Sequence, residues 1–318
     1  MTAHTTNNDD LGDTSIPSGF DRVPAILQRP LEVVYDDEVM AVVVKPQGVN
    51  VMGGRPSLAR SDLFMALKGA NSSQAREDGS VKRSPDEPLG KPVAVHRLDA
   101  PTGGLLVLAK TKTAEIELKK CFKARSCRKS YRAIVFGRLG EVSGENGNDD
   151  CSKDGLPSGV IETPIDGKES KTKWQVIEYT PCSEPGTNGW ITTVDLFPTT
   201  GRKHQLRKHM KAMGCPIFGD KRYGPYTKKE NDHEQKRRKS EEAAKLVSTD
   251  HVMLSVADGG DLLETATVEE YPHSRLCLYA LGLSFPHPVT KQETTVCMDE
   301  PQWYQDLRRH YTTRQSPI

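Results

Sequence analysis

The chain has no long hydrophobic run: none of its apolar stretches approaches the roughly 20 residues that cross a bilayer as a helix. It also lacks a strong charge of either sign, with a net charge of +1, so the molecule as a whole is no polycation. Its 7 cysteines form no C-x-x-C pair, and their number is odd. That argues against a disulfide framework or a zinc site. Reduced thiols in an intracellular compartment are expected, with cytoplasm, nucleus and organelle all open. Cys277 and Cys297 sit in apolar, strand-like runs and are expected in the core. No H-E-x-x-H, D-F-G or Gly-rich phosphate loop occurs, which removes the simplest zinc-hydrolase and kinase readings. Met1 to Asp10 has neither the apolar core of a secretory signal nor the Arg-rich, acid-poor character of a transit peptide. Residues 1–29 read as a disordered leader.

What is present is 318 residues at a hydrophobic fraction of 35% and a mean hydropathy of −0.60. This describes a soluble protein with generous polar loops. Strand-like runs fall at Leu31–Tyr35, Val39–Val44, Val93–Val95, Leu105–Ala109, Ser130–Arg138, Val160–Ile165, Lys173–Tyr179, Trp190–Phe197, Leu276–Phe285 and Thr294–Met298. Ala114, Leu118, Cys121 and Phe122 have the spacing of one helix face. A second helix is expected from Thr200 or Gly201 to Gly214, and a closing one over Pro301–Arg309. Shorter helices are suggested at Ser61–Leu67 and Ser240–Val247. Polar insertions are expected at 69–91, 140–159 and 225–275. Many strands with a few separated helices predict an α+β fold, a mainly antiparallel sheet in one domain over 30–312.

The segment from His96 to Thr111 carries the chemistry. It sets Asp99 among basic and small residues, just before an apolar run. Residues two apart in an extended segment face the same way. Arg97 and Asp99 should therefore emerge together, while His96 and Leu98 point inward. By itself an Arg-x-Asp is usually a structural ion pair, but two further blocks accompany it. Lys129-Ser130-Tyr131-Arg132-Ala133-Ile134-Val135-Phe136-Gly137 puts a ring and a hydroxyl on a strand able to lie beside Asp99. Such a ring can stack on an unstacked base. From Arg202 to Lys239 basic residues crowd together, which suits a polyanion held in one cleft. On a helix Lys203, Arg207 and Lys211 would share one face and Leu206, Met210 and Met213 another.

His96-Arg97-Leu98-Asp99 through Leu106 resembles H-R-L-D-x-x-T-S-G-L-L, the signature of the RluA family of RNA pseudouridine synthases, with Gly103 where that family usually has Ser. The Lys129 block resembles the family's K-x-Y-x-A-x-V-x-G strand. Thr200 to Met210, with Gly214 to Asp220 and Tyr223-Gly224, resembles T-G-R-x-H-Q-I-R-x-H-L followed by G-x-P-I-x-G-D and Y-G. Val44-Lys45-Pro46-Gln47-Gly48 is similar to N-K-P-x-G, with Val for Asn, and Leu283 to Pro288 is similar to L-x-F-x-H-P. The resemblance implies the pseudouridine synthase catalytic fold around a central cleft, RNA as partner, a monomer without membrane attachment, and neither cofactor nor metal. It implies isomerisation of uridine in tRNA or rRNA, with Asp99 attacking the ribose carbon or removing the 2′ proton. By the same implication Arg202 pairs with Asp99. Arg97 fills the space of the flipped base or holds its phosphate, and Tyr131 stacks on the uracil. Lys129, Lys203 and Arg207 are expected on the RNA backbone. The competing expectation is a non-catalytic RNA-binding protein that retains the fold.

Overall fold

A computed structural model describes residues 30–52, 58, 84–140, 150–151, 155–225 and 275–313. In chain order the strands are β1 (Val33–Asp36), β2 (Met40–Lys45), β3 (Pro88–Ala94), β4 (Gly103–Thr111), β5 (Arg128–Phe136), β6 (Asp150–Cys151), β7 (Pro157–Ile161), β8 (Thr172–Pro181), β9 (Trp190–Pro198), β10 (Leu278–Pro286) and β11 (Glu293–Cys297). The helices are α1 (Lys112–Lys123), α2 (Gln205–Ala212) and α3 (Gln302–Thr313). One sheet runs β1-β2-β4-β10-β5-β9-β8-β7-β6, with β3 added to β4 and β11 to β10. The β4–β10 pair is parallel, and the other strand pairs among the described residues are antiparallel. The expected α+β architecture is therefore observed.

Strand β4 explains its own apolar run. All nine of its residues are buried. Leu106 and Leu108 join Ala41, Val43, Val49 and Val51 in one cluster. Leu105, Val107 and Ala109 join Met40, Val42 and the Ala114 and Leu118 face of α1 in another. A strand covered on both faces has no polar side to show. Thr111 ends it and caps α1, its hydroxyl accepting from the Ala114 amide. The largest cluster lies under β5, β8 and β9 and takes in Leu206 and Met210 of α2 and Tyr304, Leu307 and Tyr311 of α3.

Several boundaries differ from expectation. β3 begins at Pro88, inside the insertion expected at 69–91, and β6 and β7 begin inside that expected at 140–159. These strands carry Pro, Gly, Ser and Asp, and tertiary pairing overrides their weak propensity. The leader 1–29, the helices expected at 61–67 and 240–247, and most of 225–275 lie outside the described residues. Cys277 is buried as expected, whereas Cys297 is exposed, because β11 turns that alternate face outward.

Candidate active site

The site forms where β4 and β10 run parallel. After β3 the chain passes Val95 to Asp99 and enters β4 at Gly103. His96 points inward: its Nε2 accepts the Val107 amide at 3.0 Å, and its ring stacks on Phe122 at 4.5 Å between centroids. Leu98 is buried, Arg97 is exposed, and the Asp99 side chain is 28% exposed. The alternation expected from the sequence is observed. Burial pushes the His96 imidazole down to about 3, with Lys129 acting in the same direction. A neutral His96 holding a β4 amide fixes the direction in which Arg97 and Asp99 leave.

A second loop fastens the turn. The Lys45 ammonium is fully buried and donates to the carbonyls of Pro46 (2.8 Å), Val49 (2.7 Å) and Ala100 (3.1 Å). Burial pulls its pKa down to about 7, against the pull of the Asp99 charge. Gln47 Nε2 donates to Pro101 at 2.8 Å and Leu276 at 2.7 Å, and the Gly48 amide donates to Ala100 at 2.8 Å. The sequence marks this loop by its similarity to N-K-P-x-G and assigns no role to its Lys or Gln. Its usable signal is a Lys and a Gln flanking a proline, donors that need carbonyls once buried.

Asp99 is paired differently from the expectation. Its Oδ2 lies 3.8 Å from Arg207 Nη1, and its Oδ1 lies 3.9 Å from His204 Nε2. Arg202, expected as its partner, instead donates from Nε to the Glu169 carbonyl at 2.9 Å, although it lines the same cleft. The start of α2 explains the exchange. Thr200 and the Arg202 amide both bond Gln205 Oε1, at 2.7 and 3.0 Å, so 200–204 form a separate turn. His204, the residue before α2, has φ of 56°, a left-handed conformation uncommon outside glycine. The helix thus begins at Gln205, and Lys203 does not share a helical face with Arg207. Arg207, expected on the RNA backbone, is buried at 6% exposure.

Arg207 is held from behind. Its Nε and Nη2 each bond Asp220 at 2.7 Å, a bidentate grip. Its guanidinium also lies 5.0 Å from the Tyr223 ring centroid. Burial alone would raise the Asp220 carboxyl. The hydrogen bonds and charge of Arg207, with the amides of Tyr223 and Arg222, hold it below the usual value. Burial lowers His204, Asp99 opposes that, and Arg207, Arg222 and Lys203 reinforce it. His204 Nδ1 lies 3.0 Å from the Tyr223 hydroxyl. With Nε2 facing a carboxylate oxygen, the favourable tautomer carries the proton there, and Tyr223 donates to Nδ1. Neither His204 nor Tyr223 was singled out as a site residue from the sequence.

The cleft before Asp99 encloses about 420 Å³ and is lined by Arg97, Lys129, Tyr131, Arg202 and Lys203. With Arg207, which also borders it, all six other expected site residues share one opening with Asp99. Burial, then the Asp99 charge, pushes the Tyr131 phenol above its ordinary range. Lys119, Phe122 and Lys123 at the end of α1 also line it, a wall the sequence did not reveal. Away from the cleft, cations are commonly matched. Lys208 holds Asp166 at 2.8 Å, and Arg132 holds Asp195 at 2.8 Å. Arg97, Lys123 and Lys129, facing the opening, have no carboxylate partner among the described residues, and Lys203 forms no salt bridge, although its charge reaches Asp166. A carboxylate backed by a buried guanidinium, in a cationic cleft of base size, is equipped to react with a nucleoside in a polyanion.

Comparison with known proteins gives concordant matches. A family profile described as RNA pseudouridylate synthase matches residues 39–212. The dual-specificity RNA pseudouridine synthase RluA of Haemophilus influenzae is 32% identical over 271 residues, which are 85% of this chain and 93% of that protein. The ribosomal large subunit pseudouridine synthase C of Rickettsia bellii is 34% identical over 202 residues, 62% of this chain and 59% of that protein. Among solved structures, human RNA pseudouridylate synthase domain containing 4 is similar in fold. It has a TM-score of 0.53 at 21% identity, covering 89% of this chain and 93% of that one.

Proposed function

The chain belongs to the RluA family of RNA pseudouridine synthases and isomerises uridine to pseudouridine in RNA; on that premise we propose that Asp99 is the reacting carboxylate and that Arg207, not Arg202, is its cationic partner. The observation that carries this is the placement of Asp99, partly open to the cleft and 3.8 Å from a guanidinium that Asp220 holds rigid. In the reaction the bond from ribose C1′ to N1 breaks and a bond from C1′ to C5 forms. C5 gives up its proton, and N1, which bears none in uridine, takes one up, so product and substrate have the same composition. Asp99 serves either by adding to C1′ or by removing the 2′ proton. Both routes need an anionic oxygen at the sugar, and Arg207 and His204 orient it.

Tyr131 takes the face of the extruded uracil, and Arg97 occupies the space that base leaves or binds its phosphate. Lys129 and Lys203 serve the flanking backbone, joined by Lys123 of α1, while Arg202 closes the far wall. The base must first leave its stack, at a cost of a few kcal/mol. We infer a structured tRNA or rRNA as substrate, since relatives are named for dual specificity and for the large ribosomal subunit. The enzyme acts as a single chain without metal or cofactor, wherever cellular RNA resides. No helix of the described residues is long and apolar enough to cross a membrane.

The test is to incubate the protein with unmodified cellular RNA and map pseudouridines. The wild type is expected to modify discrete sites, and Asp99→Asn none. Equal product from both proteins would refute the assignment of Asp99.

A further inference from the structure

Asp99 stands on a partition. The cleft that holds Tyr131 lies on one side. On the other is a second cavity of about 330 Å³, with Met52, Pro101 and Arg222 in its wall. Arg97, Asp99, Lys203, His204 and Arg207 border both cavities. If Tyr131 marks the uridine pocket, as proposed above, the second space remains without an occupant.

Its chemistry is specific. Asp99, on the partition, is the one carboxylate among its lining residues. Arg222 is exposed, its guanidinium 5.6 Å from the Tyr223 ring centroid, and it has no carboxylate partner among the described residues. Lys203 is likewise exposed and forms no salt bridge among the described residues, although its charge reaches Asp166. Met52, which lines the same cavity, is 63% exposed, the most exposed of the large hydrophobic side chains described. An exposed thioether is unfavourable in water and packs well on a flat aromatic face. An exposed thioether beside two exposed cations matches one nucleotide, the base on Met52 and the phosphate between Arg222 and Lys203.

Chain continuity names which nucleotide. An RNA strand that delivers a base over Asp99 into one cavity carries its neighbour across the partition into the other. We propose that the Met52–Arg222 cavity is a binding subsite for the nucleotide adjacent to the target uridine. This subsite makes the enzyme sensitive to the base at that position. Splayed single-stranded bases are read in this manner, by stacking combined with cationic contacts to the backbone.

The test uses the full-length protein and a short RNA bearing a uridine it modifies. The nucleotides on either side of that uridine are replaced, one at a time, by abasic residues. Affinity is read with Asp99→Asn protein by anisotropy, and kcat/KM with Asp99 intact. One abasic replacement should weaken both by about tenfold, the size expected for one stacked base. Met52→Ala should cost about the same on intact RNA, and little more on the abasic RNA, because both remove one contact. Arg222→Gln supplies a second variant, and the exposure of both side chains keeps the fold out of the comparison. Abasic replacements within twofold of intact RNA on both sides would overturn the subsite, as would penalties that multiply. Pseudouridine formation by Asp99→Asn would overturn the assignment of Asp99 instead, leaving the affinity data to judge the second cavity.

Discussion

At the residue scale Arg207 joins Asp99 in the cleft to Asp220 behind it. Its side chain and that of Asp220 are 7% and 0% exposed, so each is the other's compensation for lost water. Arg207→Met strands the Asp220 charge and is expected to cost about 3–5 kcal/mol in urea unfolding. Adding Asp220→Asn should recover part of that, a coupling only direct contact produces. Arg207→Lys keeps the charge but loses the two-pronged grip, and kcat should fall about 10²-fold from misplacement of Asp99. His96 gives a pH signature. It stays neutral in the folded protein down to about 3, whereas an unfolded His protonates near 6.5. The unfolded state binds the extra proton between those values, so stability falls as pH drops through that window. Between pH 7.5 and 5 the wild type should lose roughly 1–2 kcal/mol more than His96→Gln. The chemistry-bearing residue types were legible in the sequence: Asp99, Arg97 and Tyr131 lie where strand alternation directs them. The identity of the arginine at Asp99 was not. It depends on the turn that Gln205 ties to Thr200 and Arg202, a tertiary arrangement without a local sequence pattern.

At the scale of elements, the seam between β4 and β10 decides the geometry. A Cβ on Gly103 would meet Tyr279 Cε2 at 2.3 Å, and one on Gly104, where φ is 107°, would meet the Ala280 carbonyl oxygen at 2.2 Å. The family's usual Ser has no room opposite Tyr279, so the departure at Gly103 and the ring at Tyr279 belong together. Gly103→Ser is expected to destabilise by about 1–3 kcal/mol through overpacking. In the Tyr279→Leu background the same change should cost clearly less. Equal costs in both backgrounds, measured by urea titration, would separate the two positions. Strong periodicity made most strands and α1 readable before any coordinates. The first residues of β3 and β7 and all of β6 were not readable, because polar and proline-bearing segments pair there through neighbours distant in sequence. The cap at His204 was missed for a related reason: a non-glycine residue in a left-handed conformation carries no compositional mark.

At the scale of the whole molecule, a nearly neutral chain lines one opening with Arg97, Lys123, Lys129, Arg202 and Lys203. Binding to RNA should weaken steeply with salt, as counterions released from phosphates reclaim their places. Lys123→Ala and Lys203→Ala should each reduce the slope of log affinity against log salt by about one. Lys208→Ala should leave it unchanged, since Asp166 already holds that ammonium at 2.8 Å. Arg207→Lys should also leave it unchanged, because that side chain is buried. The central claim is that the carboxylate of Asp99 drives the rearrangement. Rejoining through C5 expels the C5 hydrogen, so release of tritium from RNA carrying 5-tritiated uridine reads the reaction directly. The wild type should release tritium to completion at its target sites, and Asp99→Asn should release none while binding the same RNA with similar affinity. Tritium release by Asp99→Asn at a rate near that of the wild type would contradict the account.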